Sequence, residues 1–232
     1  MECICMKIRP IPFMPEMVRK VKSGQKTITR RIVRPQPKYA LGWGKHSTYE
    51  YRDGFYALDM YTGNSNILAK CPYGQVGDKL WVRETWKPRI VHSCGEYECD
   101  CDTVIVEYLA DKSSKQFYGG DIPESWRIPK TALKNNFVPS LFMPRWASRL
   151  LLEITNVRIE RIQAITEEDA LAEGCVQDSC DHARQTCEDI GCYGPTAKGD
   201  FKYLWDTTYG KSSWDNNIWV WVIEFKVVEG DI

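Results

Sequence analysis

The residues best suited to chemistry in this chain lie in one short turn and are Lys26, Thr29, Arg30 and Arg31. Residues 1–38, which include this turn, carry ten Lys and Arg against two Glu. Residues 166–192 carry the opposite excess, eight Asp and Glu against one Arg, and the whole chain has no net charge. A positive end of this kind predicts a phosphate-rich or otherwise anionic partner, although charge runs also occur on plain solvated faces.

Two clusters of cysteine and histidine offer a second kind of chemistry. The clusters are His92, Cys94, Cys99 and Cys101, and then Cys180, His182, Cys187 and Cys192. Each holds three thiols and one imidazole, a set that binds zinc tetrahedrally. Because four protein ligands close the coordination shell, we expect structural rather than catalytic zinc, and no organic cofactor. The spacings are not the usual C-x2-C pair, so free thiols in loops are the alternative.

Length and composition favour a globular protein. At 232 residues, with 43% hydrophobic residues, the chain suits one large domain or one domain with an inserted subdomain. No stretch approaches the roughly 20 apolar residues that span a bilayer, and the N-terminus lacks the apolar run of a secretory signal. We therefore expect a cytoplasmic protein with reduced cysteines and no membrane partner. The sequence does not fix the oligomeric state.

Two short helices are predicted beside the charged segments. Pro15 suits a first helical position and Gly24 suits the residue past a helix end, which predicts a helix at Pro15–Ser23, just before the cationic turn. Thr166 as N-cap and Gly174 as terminator predict a second helix at Thr166–Glu173.

The strand that follows the Gly77-Asp78 turn carries charge on both of its faces. Leu80, Val82 and Glu84 share one face, and Trp81, Arg83 and Thr85 share the other. One of these sets must therefore direct a charge toward the interior. A buried Glu84 would need a partner, which makes it a candidate for pairing or for a binding site.

Short strands dominate the rest of the chain. Leu150–Ile162 is predicted to be a long strand with a bulge near Thr155-Asn156, because its apolar residues change parity there. A loop is predicted after the strand Thr103–Leu109, as far as about Pro144. The other elements are a hairpin at Tyr49–Met60, a helix at Phe201–Tyr209 and a strand at Trp219–Val228. This pattern predicts an α+β fold with a small β-barrel and attached helices.

Several motifs resemble the ASCH superfamily, and in particular its longer phage and prophage members. They occur in the family's order and are SGQKTITRR, RPQP, GDKLWVRETW, PRWASRLLLEITNVRIERIQAITEEDALAEG, FKYLWD and WVWVIEF. The resemblance covers about Pro12 to Phe225. It implies a single domain over residues 1–232, a PUA-like barrel of about six mixed strands with packed helices. Segments 88–136 and 176–199 match poorly and are predicted to be Cys-rich insertions.

The resemblance also implies a catalytic site. Small bacterial ASCH amidohydrolases remove the acetyl group from N4-acetylcytidine with a Lys and a Thr of a GxKxxTxR-type turn and a Glu of a later helix. These positions correspond to Lys26, Thr29 and Glu173 in this sequence. Arg30 departs from the small enzymes, which have an apolar residue before the Arg.

Amide hydrolysis needs a nucleophile, a base and a partner for the oxyanion. Thr29 can attack if a neighbouring base takes its proton. Lys26 is that base if burial and adjacent Arg residues lower its pKa, and otherwise it stays charged and stabilises the oxyanion. Glu173 suits a proton shuttle to the leaving amine.

The same predicted cleft has groups that bind nucleic acid. A phosphate or carboxylate would be held by Arg30, Arg31 and Arg83, with Glu84 nearby. The aromatic side chains that flank the basic strand either stack on bases or pack in the core, and they are Trp81, Trp86 and Tyr73.

Three functions remain open from the sequence. The first is an RNA-binding or modified-nucleoside-binding protein that hydrolyses N4-acylated cytidine. The second is a non-catalytic RNA-binding module with insertions that contact phosphate or protein, and the third is an ASCH-type ribonuclease. Deacylation of free acetylcytidine would indicate the first, and salt-sensitive RNA binding without turnover the second. Chelator-resistant strand cleavage would indicate the third.

Overall fold

The computed structural model describes residues 6–36, 48–51, 54–58, 65–92, 102–134, 136–177, 196–211 and 213–228. Its strands are β1 (Ile8–Pro12), β2 (Ile28–Ile32), β3 (Thr48–Tyr51), β4 (Gly54–Leu58), β5 (Ser65–Ala69), β6 (Lys79–Arg83), β7 (Trp86–His92), β8 (Asp102–Tyr108), β9 (Ser114–Phe117), β10 (Leu151–Arg161) and β11 (Trp219–Val228). Its α-helices are α1 (Pro15–Lys22), α2 (Lys130–Leu133), α3 (Glu167–Ala172) and α4 (Ala197–Tyr209). The predicted α+β class is confirmed.

The chain divides into two compact units. The first unit comprises Met1–Ser23, Asp78–Glu153 and Val227–Ile232, and the second comprises Gly24–Gly77 and Ile154–Lys226. Strand β10 begins in the first unit and continues in the second.

In the first unit, β1 pairs with β6 in parallel, and the first residues of β10 pair with β6 in antiparallel orientation. Strands β7, β8 and β9 form an antiparallel sheet. An apolar cluster packs around that sheet and includes Trp86, Val104, Val106, Tyr108, Phe117 and Met143. The predicted insertion 88–136 thus contains ordered strands that contribute to a core.

In the second unit, β11 lies beside β10 in the sheet, and β2 lies on the other side of β11. Strands β3, β4 and β5 form a separate antiparallel sheet, which includes the predicted hairpin. Helices α3 and α4 pack on an apolar cluster that includes Ile28, Ala170, Cys175, Phe201, Trp205 and Val222. Cys175 therefore packs as a small apolar residue of this cluster.

The two helices beside the charged segments form where the sequence predicts them. Helix α1 has Pro15 in its first turn, and Gly24 beyond its end adopts φ = 75°, a conformation that a side chain would strain. Helix α3 is capped by the Thr166 side chain, which accepts a hydrogen bond from the Asp169 N–H. Gly174, with φ = 89°, follows its C-cap residue Glu173.

The predicted change of parity in the long strand is confirmed. Leu152 and Ile154 are buried, Thr155 is exposed, and burial resumes at Val157 and Ile159 on the opposite parity. Both halves of β10 thereby direct apolar side chains into a core.

The predicted loop before Pro144 contains strand β9 and helix α2, and helix α4 begins earlier than predicted. Ser114–Phe117 was expected in a loop but forms β9, the antiparallel partner of β8. Three of its four side chains are exposed and polar, so the strand lacks the apolar alternation of a half-buried strand. Helix α4 begins at Ala197 rather than Phe201, because Thr196 caps it by accepting from the Gly199 N–H. The sequence did not indicate this earlier start, because Gly199 lies in the first turn of the helix and glycine disfavours helix.

Candidate active site

Two backbone hydrogen bonds of the adjacent residue Thr27 position Lys26. The next residue, Thr27, donates its N–H to the Ala172 carbonyl of α3 at 2.8 Å. Its own carbonyl accepts from the Phe225 N–H of β11 at 2.9 Å. The first bond attaches the residue before β2 to the last turn of α3, next to Glu173, and the second attaches it to β11.

Lys26 and Glu173 form a buried ion pair. Each residue is 3% exposed. Lys26 Nζ donates to Glu173 Oε2 at 2.5 Å, to the Glu173 carbonyl at 2.9 Å and to the Ile28 carbonyl at 2.7 Å. A lysine ammonium has three donors, so these three bonds fix the direction of the amine. The structure thus brings together the predicted catalytic Lys and Glu, which are 147 residues apart in sequence.

Burial lowers the pKa of Lys26 below its usual range, and the Glu173 carboxylate opposes that change. The neighbouring Arg31 guanidinium lowers the Lys26 pKa further. The predicted causes, desolvation and an adjacent Arg, are therefore both present. A lysine with a lowered pKa beside a carboxylate can pass a proton to it at a smaller cost than a solvated lysine can.

Arg30 brings a second buried cation to Glu173. Its side chain is 0% exposed, and its NH1 lies 3.5 Å from Glu173 Oε1. Its NH2 forms an ion pair with Asp169 and lies 3.4 Å from Glu160 Oε2. Arg30 thereby connects carboxylates at the two ends of α3 and holds positive charge beside the Lys26–Glu173 pair.

Arg158 extends this network at its more exposed side. It donates to Glu160 at 2.6 Å, to Asp169 at 2.8 Å and also to Glu224. The acidic partners Asp169, Glu160 and Glu224 were not predicted from the sequence. Asp169 precedes Glu173 by one helical turn, a spacing that places both on one helix face and could have indicated it.

Thr29 is buried in the middle of β2, and it is 3% exposed. It pairs with Ile223 of β11. Strand alternation directs its side chain to the face opposite that of Ile28 and Arg30. Among the described residues, the Thr29 hydroxyl makes no hydrogen bond to Lys26 or Glu173. Of the three predicted catalytic residues, the structure thus brings Lys26 and Glu173 into contact, without a bond from Thr29.

The other predicted binding residues of the second unit are Arg31 and Tyr73. Both are half-buried. Burial raises the pKa of the Tyr73 hydroxyl, and the positive charge of Arg31 opposes that rise, so the two side chains interact electrostatically.

Four predicted binding residues belong to the first unit. The Arg83 guanidinium lies 4.7 Å from the centre of the Trp81 ring, a cation–π contact. Trp81 is 6% exposed, and Trp86 is 0% exposed and packs edge-on against Trp146. The burial of Trp86 supports its interpretation as a core residue.

Glu84 has the partner that its burial requires. It is 1% exposed, and Arg149 donates to both of its carboxylate oxygens, at 2.7 and 2.8 Å. Burial raises the pKa of Glu84, and the hydrogen bonds from Arg149 oppose this rise. The sequence predicted that Glu84 would be paired but did not identify Arg149.

The predicted zinc ligands lie outside the described residues. This holds for Cys94, Cys99, Cys101, Cys180, His182, Cys187 and Cys192, and for the side chain of His92 at the end of β7. Within the part of the chain that is described, no group of His, Cys, Asp and Glu has the arrangement of a metal site. Structural zinc stays a prediction, which metal analysis of the purified protein would test.

No helix among the described residues is both long enough and apolar enough to cross a bilayer. In comparisons with known proteins, no family model, curated protein or solved structure matches the chain. The likeness to the ASCH superfamily therefore rests on the sequence motifs given above.

Proposed function

We propose that this chain is an ASCH-type protein with a PUA-like barrel that binds RNA or a modified nucleoside and hydrolyses the N4-acyl amide of cytidine. The buried Lys26–Glu173 pair carries the proposal. These two residues are 147 positions apart, and they are the Lys and Glu that the family resemblance selects. A buried lysine with a lowered pKa in contact with a carboxylate suits proton transfer.

The proposed reaction has two steps. Lys26 first gives a proton to Glu173, and its neutral amine then removes the proton of the Thr29 hydroxyl as Thr29 attacks the acyl carbon. The carbon–nitrogen bond breaks, the amine leaves as cytidine with the proton from Glu173, and the acyl group remains as an ester on Thr29. Water then hydrolyses that ester, which releases the carboxylic acid and restores Thr29.

Substrate binding has to complete this geometry. Because strand alternation places the Thr29 side chain on the face opposite that of Arg30, its hydroxyl can reach Lys26 only when substrate binding rearranges the start of β2. Arg30 supports the proposal because its charge favours the ionised form of Glu173 when the proton has left. The low exposure of Lys26 and Glu173 strengthens the electrostatic interaction between them.

The test is hydrolysis of N4-acetylcytidine, followed by chromatographic detection of cytidine. We expect turnover by the wild-type protein and none by Lys26→Ala. Lys211→Ala removes an exposed lysine of the same unit and should retain full activity. Since Lys26→Ala leaves Glu173 buried without its lysine, Thr29→Val provides a second variant that removes the nucleophile and no charge; circular dichroism checks that each is folded.

Well-folded wild-type protein without turnover would overturn the hydrolase. Salt-sensitive RNA binding in that case would indicate the binding module, and cleavage of the RNA strand would indicate the ribonuclease. Turnover that survives in Thr29→Val would exclude Thr29 as the nucleophile. A cytoplasmic location stays a prediction.

A further inference from the structure

The first unit contains a cleft on the sheet formed by β7, β8 and β9. Its volume is about 210 Å³, and it is lined by Lys87, Arg89, Ile105, Glu107, Lys112 and Ser114. Lys87 lies opposite Glu107, which lies opposite Ser114, and Arg89 lies opposite Ile105. Most of the lining therefore consists of side chains on one face of the sheet, contributed by neighbouring strands. The pairing register of these strands sets the positions of the side chains.

The cleft has an excess of positive charge. Three cations, Lys87, Arg89 and Lys112, face one carboxylate, Glu107. Within the described residues, none of these four groups takes part in an ion pair, even though Glu107 is the cross-strand neighbour of Lys87. Elsewhere in the first unit, Arg9, Lys20, Lys22 and Arg149 are each paired with a carboxylate.

One aromatic ring holds two of the cations together. The ammonium of Lys112 lies 4.5 Å from the centre of the Phe137 ring, and that of Lys87 lies 5.8 Å from it. Both distances suit cation–π attraction, which is compatible with retained charge. Phe137 therefore offsets part of the repulsion between two like charges at the cleft, which keeps them available for a ligand.

We propose that this cleft binds a phosphate group, supplied by single-stranded RNA. Concentrated positive charge beside a concave surface favours an anion, and a lysine ammonium is a common phosphate ligand. The volume is below the roughly 300 Å³ of a drug-sized ligand pocket, which suits one phosphate and not a whole nucleotide. The site rests on the RNA-binding part of the proposed function and is independent of the hydrolysis.

The test measures binding of a fluorescent oligouridine RNA of about 12 nucleotides to the full chain over a range of salt concentrations. Neutralising one phosphate on a single strand contributes about −0.7 to the slope of log K against log salt, so removing a cation of the cleft should reduce the slope by up to that amount. We expect this reduction, with weaker binding, for Lys87→Gln, Arg89→Gln and Lys112→Gln. Glu107→Gln should strengthen binding, because it removes the repelling charge.

Lys130→Gln is the matched control, since Lys130 is an exposed cation of the same unit outside the cleft. It should bind like the wild type. If it weakens binding as much as the cleft variants do, or if Glu107→Gln also weakens binding, the cleft is not the site and the proposal is overturned. Absence of RNA binding by the wild-type protein also overturns it.

Inorganic pyrophosphate is the second probe. If it displaces the RNA, the site recognises a phosphate group alone; if RNA binding depends on the cleft but pyrophosphate does not compete, the site needs the RNA backbone. Both results keep the proposal. Deacylation of free acetylcytidine is measured without any phosphate, so failure of one proposal is distinguishable from failure of the other.

Discussion

Among the described residues, each unit buries one glutamate against a cation, and the two pairs differ in the choice of cation. Glu84 in the first unit is bound by Arg149 through two parallel hydrogen bonds. Glu173 in the second unit is bound by Lys26 through one hydrogen bond of 2.5 Å, while the other donors of Lys26 reach backbone carbonyls. Both glutamates are almost completely buried.

The cation decides what each pair can do. Burial opposes the charge of Arg149, but the carboxylates of Glu84 and Asp111 raise its pKa, so Arg149 keeps its positive charge. The pKa of Lys26 is lowered instead, chiefly by burial. A guanidinium keeps its proton in a protein, whereas a buried lysine can lose it. The first pair is therefore suited to a structural role, and the second pair to the proton transfer proposed above.

The largest effect on stability should come from breaking the arginine pair. Arg149→Met leaves the buried carboxylate of Glu84 without a cation and also removes hydrogen bonds to Asp111 and Ser113. We expect the free energy of unfolding to fall by about 3–5 kcal/mol in urea titrations. Arg127→Met, at an exposed arginine of the same unit, should change it by less than about 0.5 kcal/mol. A loss as small as that of the control would show that Glu84 is not held in this way.

Replacing the lysine by arginine should make the second pair resemble the first. Lys26→Arg retains a positive charge beside Glu173 but cannot release a proton at neutral pH. We expect turnover of N4-acetylcytidine to fall by about 100-fold or more, the usual contribution of a general base. Activity within a few-fold of the wild type would contradict a proton transfer by Lys26 and would favour a purely electrostatic role.

The pH dependence of the free energy of unfolding should also distinguish the lysine pair from the arginine pair, with a smaller effect than the two substitutions above. Since the folded-state pKa of Lys26 is lowered, the unfolded chain binds more protons than the folded chain between that lowered pKa and 10.5. Stability from this group should therefore rise with pH in that window, by at most about 1.4 kcal/mol per pH unit, and level off above it. Below the lowered pKa the contribution should be constant.

The measurement is the difference in unfolding free energy between the wild type and Lys26→Met at several pH values up to 10.5. This difference should increase with pH. Lys211→Met, which removes an exposed lysine of the same unit, is the matched control at each pH. A flat or falling difference for Lys26→Met would show that its pKa is not lowered in the folded state.

Local sequence signals predicted the helices at the site, and contacts distant in sequence set its chemistry. Helices α1 and α3 were predictable because Pro15, Gly24, Thr166 and Gly174 act within a few residues of themselves. The partner of Glu84 was not, because Arg149 lies 65 residues away and nothing local marks it. Lys26 and Glu173 were selected together only through the motif resemblance, since spacing alone does not connect them.

Two further features that the sequence analysis did not predict also have physical explanations. Strand β9 was missed because Ser114, Lys115 and Gln116 are polar and exposed, so pairing to β8 rather than apolar burial defines it. The cations of the cleft were overlooked because Lys87 and Arg89 lie on β7 whereas Lys112 lies in the turn between β8 and β9, and the pairing of these strands brings them together.

Thr27 gives the second unit a natural reporter for amide hydrogen exchange. Its side chain is exposed, yet its N–H is bonded to Ala172 and its carbonyl to Phe225. Deuterium should therefore enter this amide only when β2 separates from α3, the same opening that would pull Lys26 away from Glu173. The exchange rate of one backbone proton would then follow the integrity of the ion pair in any variant, with or without a substrate.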